Sequence, residues 1–162
     1  MNQISDYSPV PFSPSKVAVI AASWHLDIVT AATSAIQAEF DRRQCPPGCI
    51  EVHRVPGSFE MPLFAKRLAR LGAYDAIIAC GFVVNGGIYR HEFVAAAVID
   101  GLMRVQLDTD VPIFSAVLTP RDFHGHEEHR TFFKDHFVKK GVEVAQACLS
   151  TLEGLAALPK MA

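Results

Sequence analysis

Short apolar stretches alternate along the chain with longer segments in which apolar residues recur every three or four positions. Uninterrupted apolar runs suit strands that are covered on both faces of a sheet, and the longer spacing is typical of helices packed by one face. The short stretches predict strands at 17–22, 50–55, 76–84 and 111–118. The helical spacing predicts helices at 27–43, 62–71, 92–107 and 142–155.

Strands and helices therefore follow one another in strict alternation, which predicts an α/β domain with a central four-stranded parallel sheet. Ligands bind at the carboxyl ends of the strands in such sheets. The sequence predicts that the four segments following the strands lie together there: 23–25, 56–60, 85–91 and 119–123.

The third of these segments has the chemistry of an anion site. An apolar strand ends in Asn85-Gly86-Gly87, and Arg90 and His91 open the next helical pattern. A helix N-terminus presents backbone N–H groups and the positive end of the helix dipole, so it attracts anions, phosphate above all. The glycines match neither the dinucleotide fingerprint nor the P-loop pattern.

Two other positions have one functional and one structural interpretation. Trp24, the single tryptophan, either stacks on a flat heterocycle or closes over the core. Ser58 either belongs to a turn whose N–H groups meet a ligand or acts as the N-cap of the second helix, the structural interpretation being favoured.

The stretch 121–140 contains four histidines, His124, His126, His129 and His136. Their order does not match the spacing of a helical zinc site, so a metal is the less favoured hypothesis. A polar helix that contributes one or two histidines to a phosphate is favoured instead.

Charge and composition limit the classes of partner. The 15 Lys and Arg against 17 Asp and Glu leave a net charge of -2, which argues against a nucleic-acid interface. Half of the residues are hydrophobic, more than a domain of 162 residues buries efficiently, so a homo-oligomer is expected.

The four cysteines fit no zinc or disulfide pattern, and no secretory signal or membrane span is visible in the sequence. These features predict a cytoplasmic protein. A redox role for Cys45 and Cys49 is a minor alternative.

Several of these segments together resemble the lumazine synthase family. The resemblance runs from Val17 to about Leu152, and its specific parts are VPGSFEMP at 55–62, the segment 81–94, PIFSAVLT at 112–119 and KKGVE at 139–143. Trp24, His129 and the segment NGGIYRH at 85–91 are similar to a divergent branch found as a second isoenzyme in some bacteria.

The resemblance implies a flavodoxin-like, three-layer α/β/α sandwich at 16–158, between an extended arm at 1–15 and a tail at 159–162. It implies a transferase of riboflavin biosynthesis that joins 5-amino-6-(D-ribitylamino)uracil to 3,4-dihydroxy-2-butanone 4-phosphate. The products are 6,7-dimethyl-8-ribityllumazine, phosphate and water. No cofactor or metal is implied. Active sites are shared between subunits of a pentamer, or of a decamer of two pentamers.

Residue by residue, the resemblance implies a set of substrate contacts. Trp24 takes the place of a stacking phenylalanine, and Ser58, Phe59 and Glu60 match the segment that holds the pyrimidine and ribityl chain. The other implied contacts are Phe82, Val83 and Val84 at the pyrimidine, Gly87 and Ile88 at the phosphate turn, Ser115 across the subunit boundary, and Lys140 near the pyrimidine.

The chain departs from the family pattern at its charged positions. The proton-transfer histidine of the family aligns with Arg90, and its phosphate-binding arginine aligns with His129. Because arginine stays charged, we assign proton transfer to His91 and phosphate binding to Arg90, with reversed or shared roles as the alternative. A histidine at 129 would hold phosphate less firmly as pH rises. These departures also raise a second hypothesis, a catalytically weak paralogue that binds flavin or lumazine.

Overall fold

A computed structural model describes residues 13–159 of the chain, so 1–12 of the predicted arm and 160–162 of the predicted tail lie outside the described residues. Strands and helices alternate in the predicted order. The elements are β1 (Val17–Ala22), α1 (Leu26–Arg42), β2 (Ile50–Val55), a 3-10 turn (Ser58–Glu60), α2 (Met61–Arg70), β3 (Ala76–Phe82), α3 (His91–Thr109), β4 (Ile113–Leu118) and α4 (Glu127–Ala156).

The strands form one parallel sheet in the order β2-β1-β3-β4. Alternate residues of the central strands serve two separate cores. Val17 and Val19 pack with α1 and α4, whereas Ala18 and Ile20 pack with α2 and α3. Because both faces are covered, these strands are apolar throughout, and the predicted three-layer α/β/α sandwich is confirmed.

The last helix is longer than predicted. It begins at Glu127 rather than at 142, and its first turns carry the histidine-rich stretch. Where α4 crosses α1 the backbones approach closely, because a Cβ on Gly141 would lie 2.5 Å from the carbonyl oxygen of Ala32. This close approach packs the middle of α4 against α1.

The four cysteines are free, and three of them are buried. Burial raises the pKa of the Cys49 thiol to about 11 and that of Cys80 to about 12. Thiols with such pKa values are protonated near neutral pH, so the alternative of a redox pair at Cys45 and Cys49 gains no support. Among the described residues, no helix combines the length and apolar character needed to cross a membrane.

Candidate active site

A cavity of about 690 Å³ opens at the carboxyl ends of β1, β2 and β3. Three of the four predicted segments meet there, while the fourth, 119–123, does not line it. Its walls come from the ends of these strands and the start of α3: Trp24, His25, Pro56, Gly57, Ser58, Phe59, Glu60, Phe82, Val83, Val84, Gly86, Ile88, Tyr89, His91 and Val94.

The first wall is the turn from β1 into α1. The Ser23 hydroxyl donates a 2.9 Å hydrogen bond to the Val55 carbonyl, which ties this turn to β2. His25 adopts a left-handed conformation (φ 54°) that redirects the chain into the helix. Trp24 is 67% exposed, so its ring lies at the cavity rather than over the core. Such a ring offers a flat apolar surface on which a heterocycle can stack.

The second wall is the turn between β2 and α2. Glu60 accepts a 2.9 Å hydrogen bond from the Gly57 amide, so Gly57 is the N-cap and Ser58 lies inside the turn. The favoured interpretation of Ser58 as N-cap of the second helix was therefore wrong, because Gly57 is the N-cap of the 3-10 turn and Glu60 is the N-cap of α2. Ser58 is instead buried against β3, where Gly81 leaves room for its hydroxyl.

We expect Gly81→Ala to disturb this wall, since the added Cβ would lie 2.3 Å from Ser58 Oγ and 3.1 Å from Met61 Cε. Both neighbours are buried and have little room to move. Overpacking of this kind costs about 1–3 kcal/mol, and displacement of Ser58 should raise KM. Denaturant unfolding and steady-state kinetics measure the two effects.

The double variant Ser58→Ala/Gly81→Ala is the control, because it removes the hydroxyl that the new Cβ meets first. We expect it to regain most of the stability lost in Gly81→Ala. Ser58→Ala alone completes the double-mutant cycle. Strictly additive effects would show that the two positions do not compete for the same space.

The third wall follows the end of β3. Val83 is buried and Val84 half-buried, and the chain then turns at Gly87 with φ +77°. The side chain of Asn85 accepts a 3.0 Å hydrogen bond from the Gly87 amide, so it stabilises the turn. Ile88 is 87% exposed at the rim.

The start of α3 gives the adjacent residues Arg90 and His91 different surroundings. His91 is the first helical residue, lines the cavity, and has a side chain only 13% exposed, with Nδ1 3.4 Å from a carboxylate oxygen of Glu92. Arg90 is the N-cap residue, and its guanidinium carbon lies 4.6 Å from the centroid of the Phe93 ring. Arg90 does not line the cavity. The described chain therefore offers His91, and not Arg90, to a ligand in the cavity.

His129 lies outside the cavity but is linked to its floor through aromatic rings. Its ring stacks on Phe123, which in turn meets the cavity residues His25 and Phe82 edge-to-face. Burial and the nearby charge of Arg130 lower the pKa of His25, which favours its neutral form. His25 was singled out only as part of the segment 23–25, and no feature of the sequence predicted this ring contact.

The next residue, Arg130, binds both carboxylate oxygens of Asp27 at 2.7 and 2.8 Å. Burial alone would raise the pKa of Asp27, but the hydrogen bonds and charge of Arg130 outweigh it and lower that pKa. The pair joins the start of α1 to the start of α4. Arg130 is thus engaged within the chain.

Three other predicted contacts lie apart from the cavity. Gly87 belongs to the cavity turn without lining it. Ser115 is exposed on the edge strand β4, and Lys140 lies on α4, 2.5 Å from Glu143. Among the described residues, no three His, Cys, Asp or Glu side chains are placed to hold a metal ion.

Comparison with known proteins yields one family. A family model described as 6,7-dimethyl-8-ribityllumazine synthase matches residues 14–156. A protein of that name from Rhodococcus erythropolis is 55% identical over 144 residues, which cover 89% of this chain and 93% of the relative.

Two further relatives are named 6,7-dimethyl-8-ribityllumazine synthase 2. The protein from Bradyrhizobium diazoefficiens is 55% identical over 88% of this chain and 85% of its own length. The one from Pseudomonas syringae pv. tomato is 48% identical over 90% of this chain and 86% of its own length. The match spans every strand and helix that builds the cavity.

Proposed function

The chain belongs to the 6,7-dimethyl-8-ribityllumazine synthase family, and we propose that it makes this product in the cavity at the carboxyl ends of β1, β2 and β3. The substrates are 5-amino-6-(D-ribitylamino)uracil and 3,4-dihydroxy-2-butanone 4-phosphate. The observation that carries the proposal is the meeting of an exposed tryptophan and a half-buried histidine, Trp24 and His91, in one cavity.

The pyrimidine substrate occupies the part of the cavity beside Trp24. A flat heterocycle stacks on the indole ring, and its polar edge faces the turn at Ser58, Phe59 and Glu60. The apolar floor is formed by Phe82, Val83 and Val84. A ring held between a stacking surface and fixed polar groups is oriented for reaction with the second substrate.

His91 moves protons in this site. The reaction proceeds through imine formation, phosphate elimination, ring closure and loss of water, and these steps each require proton transfer. Imidazole is suited to this because it gains and loses protons near neutral pH, whereas guanidinium stays charged. The phosphate of the second substrate lies at the turn of Gly87 and Ile88, beside the N-terminus of α3.

A neighbouring copy of the chain completes the site. Four large apolar side chains, Trp24, Phe59, Ile88 and Tyr89, are between 65% and 87% exposed around the cavity of a single chain. Ser115, His129 and Lys140 lie away from that cavity and reach the site of a neighbour. The proposed assembly is a pentamer, or a decamer of two pentamers. Four free cysteines fit a cytoplasmic location.

Mixing both substrates with the purified protein and following lumazine fluorescence tests the proposed reaction. We expect product at a rate far above that without protein. Absence of product from a correctly assembled oligomer would contradict it.

Absence of product would favour the second candidate function, a catalytically weak paralogue that binds flavin or lumazine. The exposure of Trp24 and the position of Arg90 outside the cavity support this candidate. Quenching of Trp24 fluorescence by riboflavin would then be expected. An unchanged Trp24 signal would exclude this second candidate.

Complementation tests the shared site. Co-assembled His91→Ala and Lys140→Ala subunits should be more active than either homo-oligomer, because some sites then receive both intact residues. The control is the same pair of variants mixed without exchange of subunits. Equal activity before and after exchange would place both residues in sites of the same subunit.

A further inference from the structure

The ring of His129 is fixed on several sides at the start of α4. The His124 backbone N–H lies 2.9 Å from its Nδ1 atom. The imidazole is stacked with the rings of Phe123 and His124, at centroid distances of 5.8 and 5.6 Å, and the Phe133 ring meets it at 5.1 Å and 68°. A side chain held by three rings and one hydrogen bond has little rotational freedom left.

The hydrogen bond determines which nitrogen of His129 carries the proton. A backbone amide only donates, so the ring atom 2.9 Å away accepts and is unprotonated. Neutral imidazole has a single N–H, which must then be on Nε2. Turning the ring over would place a C–H group against the amide and leave that amide without its acceptor.

Arg130, the neighbouring cation, is paired with Asp27, whose two carboxylate oxygens both contact its Nη2 atom. We propose that the backbone amide of His124 is a positioning group that fixes His129 as the Nε2–H tautomer, so that His129 offers a neutral N–H donor to the phosphate of the substrate. The inference rests on the proposed function for the identity of that anion.

In this arrangement the neutral N–H group of His129 contacts the phosphate, at the position where the family pattern has a charged arginine. An N–H on Nδ1 would face the His124 N–H, and the hydrogen bond would be lost. One neutral N–H also binds phosphate less tightly than a forked guanidinium. The chain therefore retains a directed contact with the phosphate in place of a strong one.

Nitrogen-15 NMR of histidine-labelled protein tests the tautomer directly, at about pH 8, where histidine is mainly neutral. We expect His129, assigned by the signals missing in His129→Gln, to carry its proton on Nε2 without averaging. His124→Ala retains the backbone N–H and should leave this pattern unchanged. His124→Pro removes that N–H and should allow exchange between the two tautomers. A proton on Nδ1, or no effect of His124→Pro in a folded protein, would overturn the proposal.

Two amide variants, His129→Gln and His129→Asn, test the donor atom. The longer glutamine side chain would place its amide near the Nε2 position, whereas the shorter asparagine side chain would place its amide near Nδ1. We expect His129→Asn to raise KM for the phosphate-bearing substrate about tenfold or more, the size of one hydrogen bond to a charged group, with kcat little changed. His129→Gln should stay within about threefold of the unmodified protein, well inside that margin.

The NMR and KM measurements distinguish a wrong tautomer or donor-atom assignment from a wrong phosphate contact. Equal KM values that are both raised would overturn the assignment of Nε2 as the donor. If NMR shows the Nε2–H tautomer but neither variant changes KM or inhibition by inorganic phosphate, the phosphate contact of the proposed function is wrong while the tautomer assignment stands.

Discussion

His91→Ala is expected to lower kcat by about 100- to 10,000-fold, the usual contribution of a positioned acid–base group. Its imidazole is the titratable ring that the start of α3 brings into the cavity, 13% exposed and beside Glu92. The truncation removes no core contact, so the oligomer should elute unchanged in size-exclusion chromatography. Steady-state lumazine formation measures the loss.

Arg90→Ala is the matched control, since it truncates the adjacent residue on the same helix start. Its guanidinium contacts Phe93 outside the cavity, and an exposed contact of this kind contributes about 0.5–1 kcal/mol. We therefore expect a loss of less than about tenfold. Added imidazole should restore part of the activity of His91→Ala and none to Arg90→Ala. The reverse order of losses would assign proton transfer to Arg90.

The sequence alone could not decide which of these two residues faces the cavity. The spacing of apolar residues placed the start of the third helix correctly to within one residue, and His91 is in fact its first residue. A difference of one residue turns a side chain by about 100° around a helix. Only the observed helix start separates His91 in the cavity from Arg90 on Phe93.

The sheet could be predicted because its physical signal is strong. Strands covered on both faces must be apolar throughout, and β1 is fully buried along its length. The same signal overextended the third strand to 84, since Val83 and Val84 are apolar for another reason, as part of the core and the cavity floor. An apolar run does not reveal whether its last residues belong to a sheet or to a cavity.

The first half of α4 gave no such signal. Its residues from 127 to 140 are mostly polar. Phe133 and Phe137, four positions apart on one helix face, meet the ring of Phe82, but two such positions in a polar stretch are too few to predict a helix from spacing. Ser115, which is predicted to reach a neighbouring copy, is exposed in one chain and so lacks any burial pattern. What the sequence could not predict are the contacts that depend on side-chain geometry across elements.

Phe82→Ala is expected to destabilise the fold by about 3–5 kcal/mol, the cost of truncating a buried aromatic residue. Phe82 is 3% exposed, and its ring meets four others at centroid distances of 5.1 to 5.4 Å: His25, Phe123, Phe133 and Phe137. These contacts join β3, the start of α1 and α4. Denaturant unfolding at one fixed protein concentration measures the loss, because stability of an oligomer depends on concentration.

Phe82→Leu separates apolar volume from ring geometry. Leucine retains most of the buried surface but loses the edge-to-face contacts, so we expect a cost of about 1–2 kcal/mol. Because His129 stacks on Phe123, which packs on Phe82, the alanine variant should also raise KM for the phosphate-bearing substrate more than the leucine variant does. A loss below about 1 kcal/mol for Phe82→Ala would mean that the rings close over the gap, and that β3 and α4 are joined mainly by other contacts.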